Sequence, residues 1–162
     1  MVAIPRSKRF VPRAVNKYIF CPTVAAVDPA PAPTKAEMDG GTDLTNELFA
    51  VDGFSTSTTF VESSDVGTQF KGKLPAGAEA ADATMTFNAS QDGLDVRTIL
   101  EEGQRGYMVI GLGGAEIADK VDVYEVVIGS VDTPTAADET AKVVVSIGVP
   151  SKPNKGYAVP AV

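Results

Sequence analysis

Alternation with a period of two dominates the chain. Ala83 to Ser90 reads A-T-M-T-F-N-A-S, which puts Met85, Phe87 and Ala89 on one face and Thr84, Thr86, Asn88 and Ser90 on the other. That is the pattern of a half-buried antiparallel strand. Lys142 to Val149 repeats it with Val143, Val145, Ile147 and Val149 inward, and Val144 shows that its other face is not wholly wet. Val121 to Val131 is longer and apolar on both faces, with Val121, Val123, Val127 and Val131 set against Tyr124, Val126 and Ile128. A strand of that kind needs cover on both sides. Tyr107 to Leu112 has the same character, and Glu47 to Phe54, Ser57 to Glu62 and Thr68 to Leu74 complete a set rich in Val, Thr, Phe and Tyr.

Between these runs lie clusters of Gly, Pro, Asp and Ser. The longest, Ala76 to Asp82, and the similar Asp132 to Glu139 read as solvent-exposed loops. Helix has little room. The best segment is Gln91 to Glu102, where Asp92 or Asp95 caps a stretch carrying Val96, Ile99 and Leu100 at spacings of three and four, ended by Gly103. A second short turn follows Pro33 and stops at Gly40-Gly41, while Pro29 to Pro33 is a stiff extended spacer. Roughly eight strands, one helix and many turns predict a mainly β chain, a β-sandwich or barrel with a helix on its flank. The organisation expected is a basic N-terminal arm over 1–17, one β domain over 18–150 and a C-terminal tail over 151–162.

Composition narrows the chemistry. A chain of 162 residues suits one compact domain that buries roughly 70% of its unfolded surface. It holds no histidine and one cysteine, so it can build no Ser-His-Asp or Cys-His relay, no imidazole metal site and no internal disulfide. Cys21 is expected in the core. The net charge of −7 conceals a polarity along the chain: residues 1–27 carry Arg6, Lys8, Arg9, Arg13 and Lys17 and no acid, all 21 acids fall within 28–150, and Lys152 and Lys155 lie beyond. A body so acidic repels phosphate backbones, which argues against nucleic acid as a ligand of the domain. The basic ends are suited to an acidic neighbour, another copy of the body included, or are solvated arms.

Several motifs fail on inspection. Gly111-Leu112-Gly113-Gly114 follows an apolar strand, but Glu116 stands where a dinucleotide turn needs glycine, so a hairpin connection is the better reading. Asp92 with Asp95 and Asp119 with Asp122 lack the spacing of a calcium loop and read as a helix cap and a turn. No pair among the acids is singled out for general acid and base work. The basic N-terminus fits a secretory leader poorly, because Pro12, Arg13 and Lys17 crowd the apolar run that Cys21-Pro22-Thr23 then interrupts. No apolar stretch approaches the roughly 20 residues needed to cross a bilayer. The expectation is therefore of no catalytic residue, no cofactor, no metal and no membrane.

Taken in order, PTKAEMDGGTDLT at 33 to 45, VDGFSTSTTFVESSDVGTQFKGKLPAG at 51 to 77, MTFNASQDGLDVRTILEEGQRGYMV at 85 to 109 and KVDVYEVVIGSV at 120 to 131 cover most of the chain. This succession resembles the major tail, or tail tube, proteins of long-tailed phages with non-contractile tails, particularly those of actinobacterial hosts. The specificity lies in the order of the pieces: F-x-x-K-x-P-x-G after E-x-x-D-x-G, then D-V-R, then a glycine pair before a strand. Val121-Asp122-Val123-Tyr124 and the turn Gly113-Gly114-Ala115-Glu116 depart mildly from the expected pattern.

The resemblance implies a β-sandwich with a flanking helix, assembled as hexameric rings whose inner strands join into one continuous β-barrel around a channel. Stacked rings would then conduct the phage genome, with DNA as a passenger that does not stick to an acidic wall. It implies as partners other copies of the chain and the tape measure, tail terminator and tail tip proteins, and a location in the virion tail after synthesis in the host cytoplasm. Arg6, Lys8, Arg9, Arg13 and Lys17 become candidate contacts between rings, and the loops Glu62 to Gly67 and Ala76 to Asp82 join them. A different reading of the same β-rich, catalytically empty chain is an immunoglobulin-like capsid decoration or adhesion module.

Overall fold

The computed structural model describes residues 11, 15–64, 67, 69–90, 95–134 and 140–161. Those residues run β1 (Lys17–Cys21), α1 (Lys35–Asp39), β2 (Thr42–Asp43), β3 (Leu48–Asp52), β4 (Thr56–Ser63), β5 (Gly72–Ala80), β6 (Ala83–Asn88), α2 (Val96–Ile99), β7 (Arg105–Gly111), β8 (Lys120–Asp132), β9 (Lys142–Gly148) and β10 (Asn154–Ala158). Every strand pairing is antiparallel. The main sheet has the order β2-β1-β7-β8-β9-β6-β3, with β10 also on β8, and β4 and β5 form a separate two-stranded ribbon.

The long strand β8 organises the molecule. One of its edges pairs with β7 over Val121 to Val127, while the other takes β10 near its start and β9 near its end. Its apolar residues change sides in the middle. Val121 and Val123 enter a smaller cluster with Cys21, Val24, Met38, Val109, Ala115 and Val159, whereas Tyr124, Val126 and Ile128 enter the larger core with Phe20, Met85, Phe87, Met108, Val143, Val145 and Ile147. The two apolar faces legible in the sequence are thus covered by two different layers. Alternation works as expected on β6 and β9, where Met85, Phe87, Val143 and Val145 are fully buried.

The larger core draws side chains from β1, β6, β7, β8 and β9, and no second sheet faces it among the described residues. The main sheet therefore buries this side by curling on itself, with Leu44, Phe54, Val96 and Leu100 completing the enclosure. On the convex side, α1 covers the β1-β7 half through Met38. Thr34 caps α1 with a reciprocal capping box: its hydroxyl accepts from the Glu37 backbone N–H while the Glu37 carboxylate accepts from the Thr34 N–H at 2.8 Å. That carboxylate also accepts from the Ala25 N–H at 2.7 Å, which ties the segment after β1 to the helix. Backbone donors from Thr34 and Ala25 hold Glu37 ionised below the usual carboxylate range.

Four expectations change. The helix expected over Gln91 to Glu102 is only the four residues of α2 with Asp95 as its cap; residues 91–94, Asp92 among them, lie outside the described residues. The strand expected over Thr68 to Leu74 begins at Gly72 and runs through the supposed loop at 76 to Ala80. Gly, Ala and Pro disguise it, because it is held by backbone pairing with β4 and not by an apolar face. The segment 151–162, expected as a tail, contains β10, and Val159 is buried in the smaller cluster. Lys17, expected in the arm, opens β1 and pairs with Asp43 at 2.8 Å. The other arm residues, Arg6, Lys8, Arg9 and Arg13, lie outside the described residues.

Candidate assembly surface

The strands β3 and β6 form the lower half of one long hairpin whose upper half is β4 and β5. In the lower half Leu48 faces Phe87 and Val51 faces Met85, all towards the larger core. The break between the halves is built locally. Gly53 has φ of +98°, and a Cβ there would come within 2.4 Å of the Asp82 carbonyl oxygen, so only glycine fits. Phe54 follows with φ of +53° and turns inward. Its ring meets Tyr124 edge to face at 4.9 Å, and the Tyr124 hydroxyl donates to the Phe54 carbonyl at 2.7 Å. Burial, with Asp122 nearby, raises the Tyr124 phenol above its ordinary value and keeps it a donor.

Beyond this lock the ribbon leaves the body. Every residue of β4 is exposed, and β5 is exposed from Lys73 to Glu79. The register places Val61 opposite Leu74 and Phe60 opposite Pro75, so the two pairs project from opposite faces. Phe60, Val61 and Leu74 are 59%, 57% and 61% exposed. Glu62 lies opposite Lys73 and accepts from the Lys71 ammonium at 3.4 Å, a surface pair worth little to the fold. A two-stranded ribbon with uncovered apolar side chains on both faces is marginal alone and is suited to burial against another chain. Residues 65 and 66, within the expected contact loop Glu62 to Gly67, and residue 68 just beyond it lie outside the described residues.

The remaining chemistry is structural. Cys21 is buried, and desolvation, helped by Glu37, pushes its thiol up to about 11, which makes it inert as expected of a core cysteine. Asp95 caps α2 and Asp119 accepts from the Glu116 N–H at 3.0 Å within the β7-β8 turn; both perform the cap and turn roles read from sequence. The glycine-rich segment after β7 joins β7 to its antiparallel neighbour β8, as a hairpin connection should. Among the described residues no cluster of acids and cysteine has the arrangement of a metal site, and no helix is long and apolar enough to cross a membrane.

The apolar ribbon is what sequence reasoning missed. The signal was present in Phe60-Val61, adjacent apolar residues that necessarily occupy both faces of a strand otherwise made of Thr, Ser and Glu62.

The sequence profile of the phage tail tube protein family matches residues 4–162. Among curated proteins no sequence match is found. In fold, the chain is similar to the sheath/tube terminator of an extracellular contractile injection system in its extended state, with a TM-score of 0.58 at 12% identity, covering 92% of this chain and 98% of that one. It is also similar to the SPP1 tail tube, with a TM-score of 0.54 at 13% identity over 90% of this chain and 78% of that one. The tail of an empty GTA particle, solved with C6 symmetry, gives 0.53 at 11% identity over 87% and 93%.

Proposed function

The chain belongs to the phage tail tube protein family, and on that premise we propose that copies of it close into sixfold rings through the β4-β5 ribbon and that the rings stack into the tube. It is a structural protein of the virion tail. The observation that carries the proposed mode of assembly is the ribbon itself, whose Phe60, Val61 and Leu74 remain more than half exposed in their own subunit. Rings supply that cover, and ring closure removes the sheet edges that otherwise invite unregulated association. A sixfold relation is supported by the C6 symmetry of the GTA tail, whose subunits share this fold. The capsid-decoration or adhesion reading leaves the family membership without a role.

The chain has no catalytic task in this account, and its partners are other copies of itself, the tail terminator, the tail tip, the tape measure protein and DNA in transit. The organisation is an N-terminal arm, the β domain and a C-terminal segment that returns to β8. Arg6, Lys8, Arg9 and Arg13 precede β1 in the chain, Lys17 is its first residue, and their proposed partner is acidic surface on the next ring. Deleting residues 1–13 should then shorten or abolish tubes while leaving thermal unfolding unchanged. The deficit relative to the full chain should narrow as salt rises, because the arm's own contacts between exposed charges are screened beyond about 8 Å at physiological ionic strength. Tubes of normal length at every salt concentration would reduce the arm to a solvated tail. The assembly reading as a whole is tested by electron microscopy of the purified protein, where hollow tubes or sixfold rings are expected and persistent monomers at high concentration would refute it.

A further inference from the structure

The turn between β7 and β8 is more apolar and more firmly held than a connection requires. The Ala118 N–H donates to the Val159 carbonyl at 3.0 Å, and the Val159 N–H donates to the Asp119 carbonyl at 3.0 Å. Within the turn the Asp119 carboxylate accepts from the Glu116 N–H at 3.0 Å. Fixed in this way, the turn holds Ile117 53% exposed, where turn chemistry favours Gly, Asn, Asp and Ser. Beside it the Glu116 carboxylate is 83% exposed, and Lys35, already paired with Asp39, approaches it only to 3.7 Å. Lys120 opens β8 just beyond. The turn is a rigid apolar knob with an acid at its shoulder. Elsewhere on the molecule a cavity of about 490 Å³ opens at the root of the β4-β5 ribbon. Ala78 and Ala80 of β5, Pro29 and Ala30 of the spacer, and Pro153 give it an apolar lining, and its charged lining residues are Lys152, Lys155 and Glu79. Lys155 donates to the Thr56 hydroxyl at 2.8 Å and the Asn154 amide to the Pro31 carbonyl at 2.9 Å, which fastens the wall formed by the C-terminal segment to the ribbon and to the spacer.

We propose that the Glu116-Ile117 turn of one copy seats in this cavity on a second copy, with Ile117 against the alanines and prolines and the Glu116 carboxylate towards Lys152 and Lys155. This contact rests on the tube reading and adds a second seam to that of the ribbon. Charge selects the occupant. Two cations against one acid favour an anionic guest over the basic N-terminal arm, and the ribbon's own Glu62 is engaged by Lys71. Rigidity favours the turn as well, because a knob held by its own hydrogen bonds loses little freedom on binding. Position agrees with both. The cavity is lined by Thr56, Ala78, Glu79 and Ala80, where the ribbon leaves the body, so a copy lying along the ribbon is carried up to it. Knob and cavity belong to different surfaces of the same chain, which makes the contact head-to-tail: each copy offers one of each until a ring closes or a stack ends. A single seam leaves neighbouring copies free to swivel. A second one at the ribbon's root fixes the angle between them.

Cross-linking between two marked populations tests it. Ile117→Cys chains of one mass and Ala78→Cys chains of another are mixed before assembly, with the native Cys21 fully buried and silent. In tubes, a short bismaleimide should join one chain of each kind, and should join neither two I117C chains nor two A78C chains. Tubes that lack the mixed product, or that give pairs of I117C chains in its place, would overturn the proposal. A charge exchange supplies a second readout. Lys155 is engaged by Thr56 in its own subunit, so Lys152 carries the exchange. Glu116→Lys and Lys152→Glu should each raise the concentration at which tubes form by about threefold at low salt, with the unfolding midpoint of the subunit unchanged. The chain carrying both changes should assemble like the wild type. Losses that add in the double variant would overturn the proposal. Failure of the wild-type chain to form any tube would overturn the tube reading and this contact with it, whereas absence of the mixed product from tubes that do form overturns this contact alone.

Discussion

Two halves of one hairpin obey different rules. In β6, apolar and polar residues alternate in step with the pleat, and its apolar set, joined by Leu48 and Val51 of β3, faces a core that buries Met85 and Phe87 completely. In β4 and β5 the backbone pairing is just as regular, yet Phe60 and Val61 are adjacent, face opposite ways and remain in solvent. The lower half is specified by its own subunit. The upper half has the backbone of a strand and the surface of an interface, which is what a chain made to be completed by its neighbours requires. The lock at Gly53, Phe54 and Tyr124 separates the two regimes.

The sharpest way to break this comparison is to remove the same kind of side chain from each half. Phe87→Ala should lower the unfolding free energy of the subunit by about 3–5 kcal/mol, measured by chemical denaturation. The double change Phe60→Ser and Leu74→Ser should move it by no more than about 0.5 kcal/mol while abolishing tubes in electron micrographs. Equal destabilisation by the two variants would dissolve the distinction. Tyr124→Phe strikes the lock between the halves. It leaves the Phe54 carbonyl without its donor and should cost about 1–3 kcal/mol, with faster amide exchange at residues 53–55 than elsewhere.

Acid titration should give the smallest effect and spare the hairpin. Glu37 has its carboxylate pKa depressed in the folded state, so its contribution is fully present above the ordinary glutamate range. It is lost as pH falls through the folded value. As pH falls below the ordinary glutamate value of about 4.3, the protection of the Ala25 and Thr34 amides, corrected for intrinsic exchange rates, should drop while that of β4 and β5 stays flat. Glu37→Gln should make the Ala25 and Thr34 signals largely independent of pH over that window.

Sequence reasoning worked where a residue's partner lies in its own subunit. The alternation of β6 and β9, the two-faced β8, the buried Cys21 and the cap at Asp95 all follow from local pattern. It failed on β5 and β10. Gly72 to Ala80 is poor in strand formers and is held by its ladder to β4, and Asn154 to Ala158 includes Gly156 at φ of +67° with a register shift against β8. Neither segment has an apolar period to read, because neither buries a full face. The assembly surface was half legible. The resemblance of the ordered segments pointed to a tube subunit, and charge drew attention to the arm, but the exposed pair Val61 and Leu74 becomes visible only once the register sets them opposite each other.

The most direct test of the central claim is a reconstruction of the assembled state formed by the unmodified chain. The account predicts a hollow sixfold tube in which Phe60, Val61 and Leu74 are covered by a second copy. A tube in which those three side chains still face solvent, or a chain that remains solitary at every concentration, would contradict it.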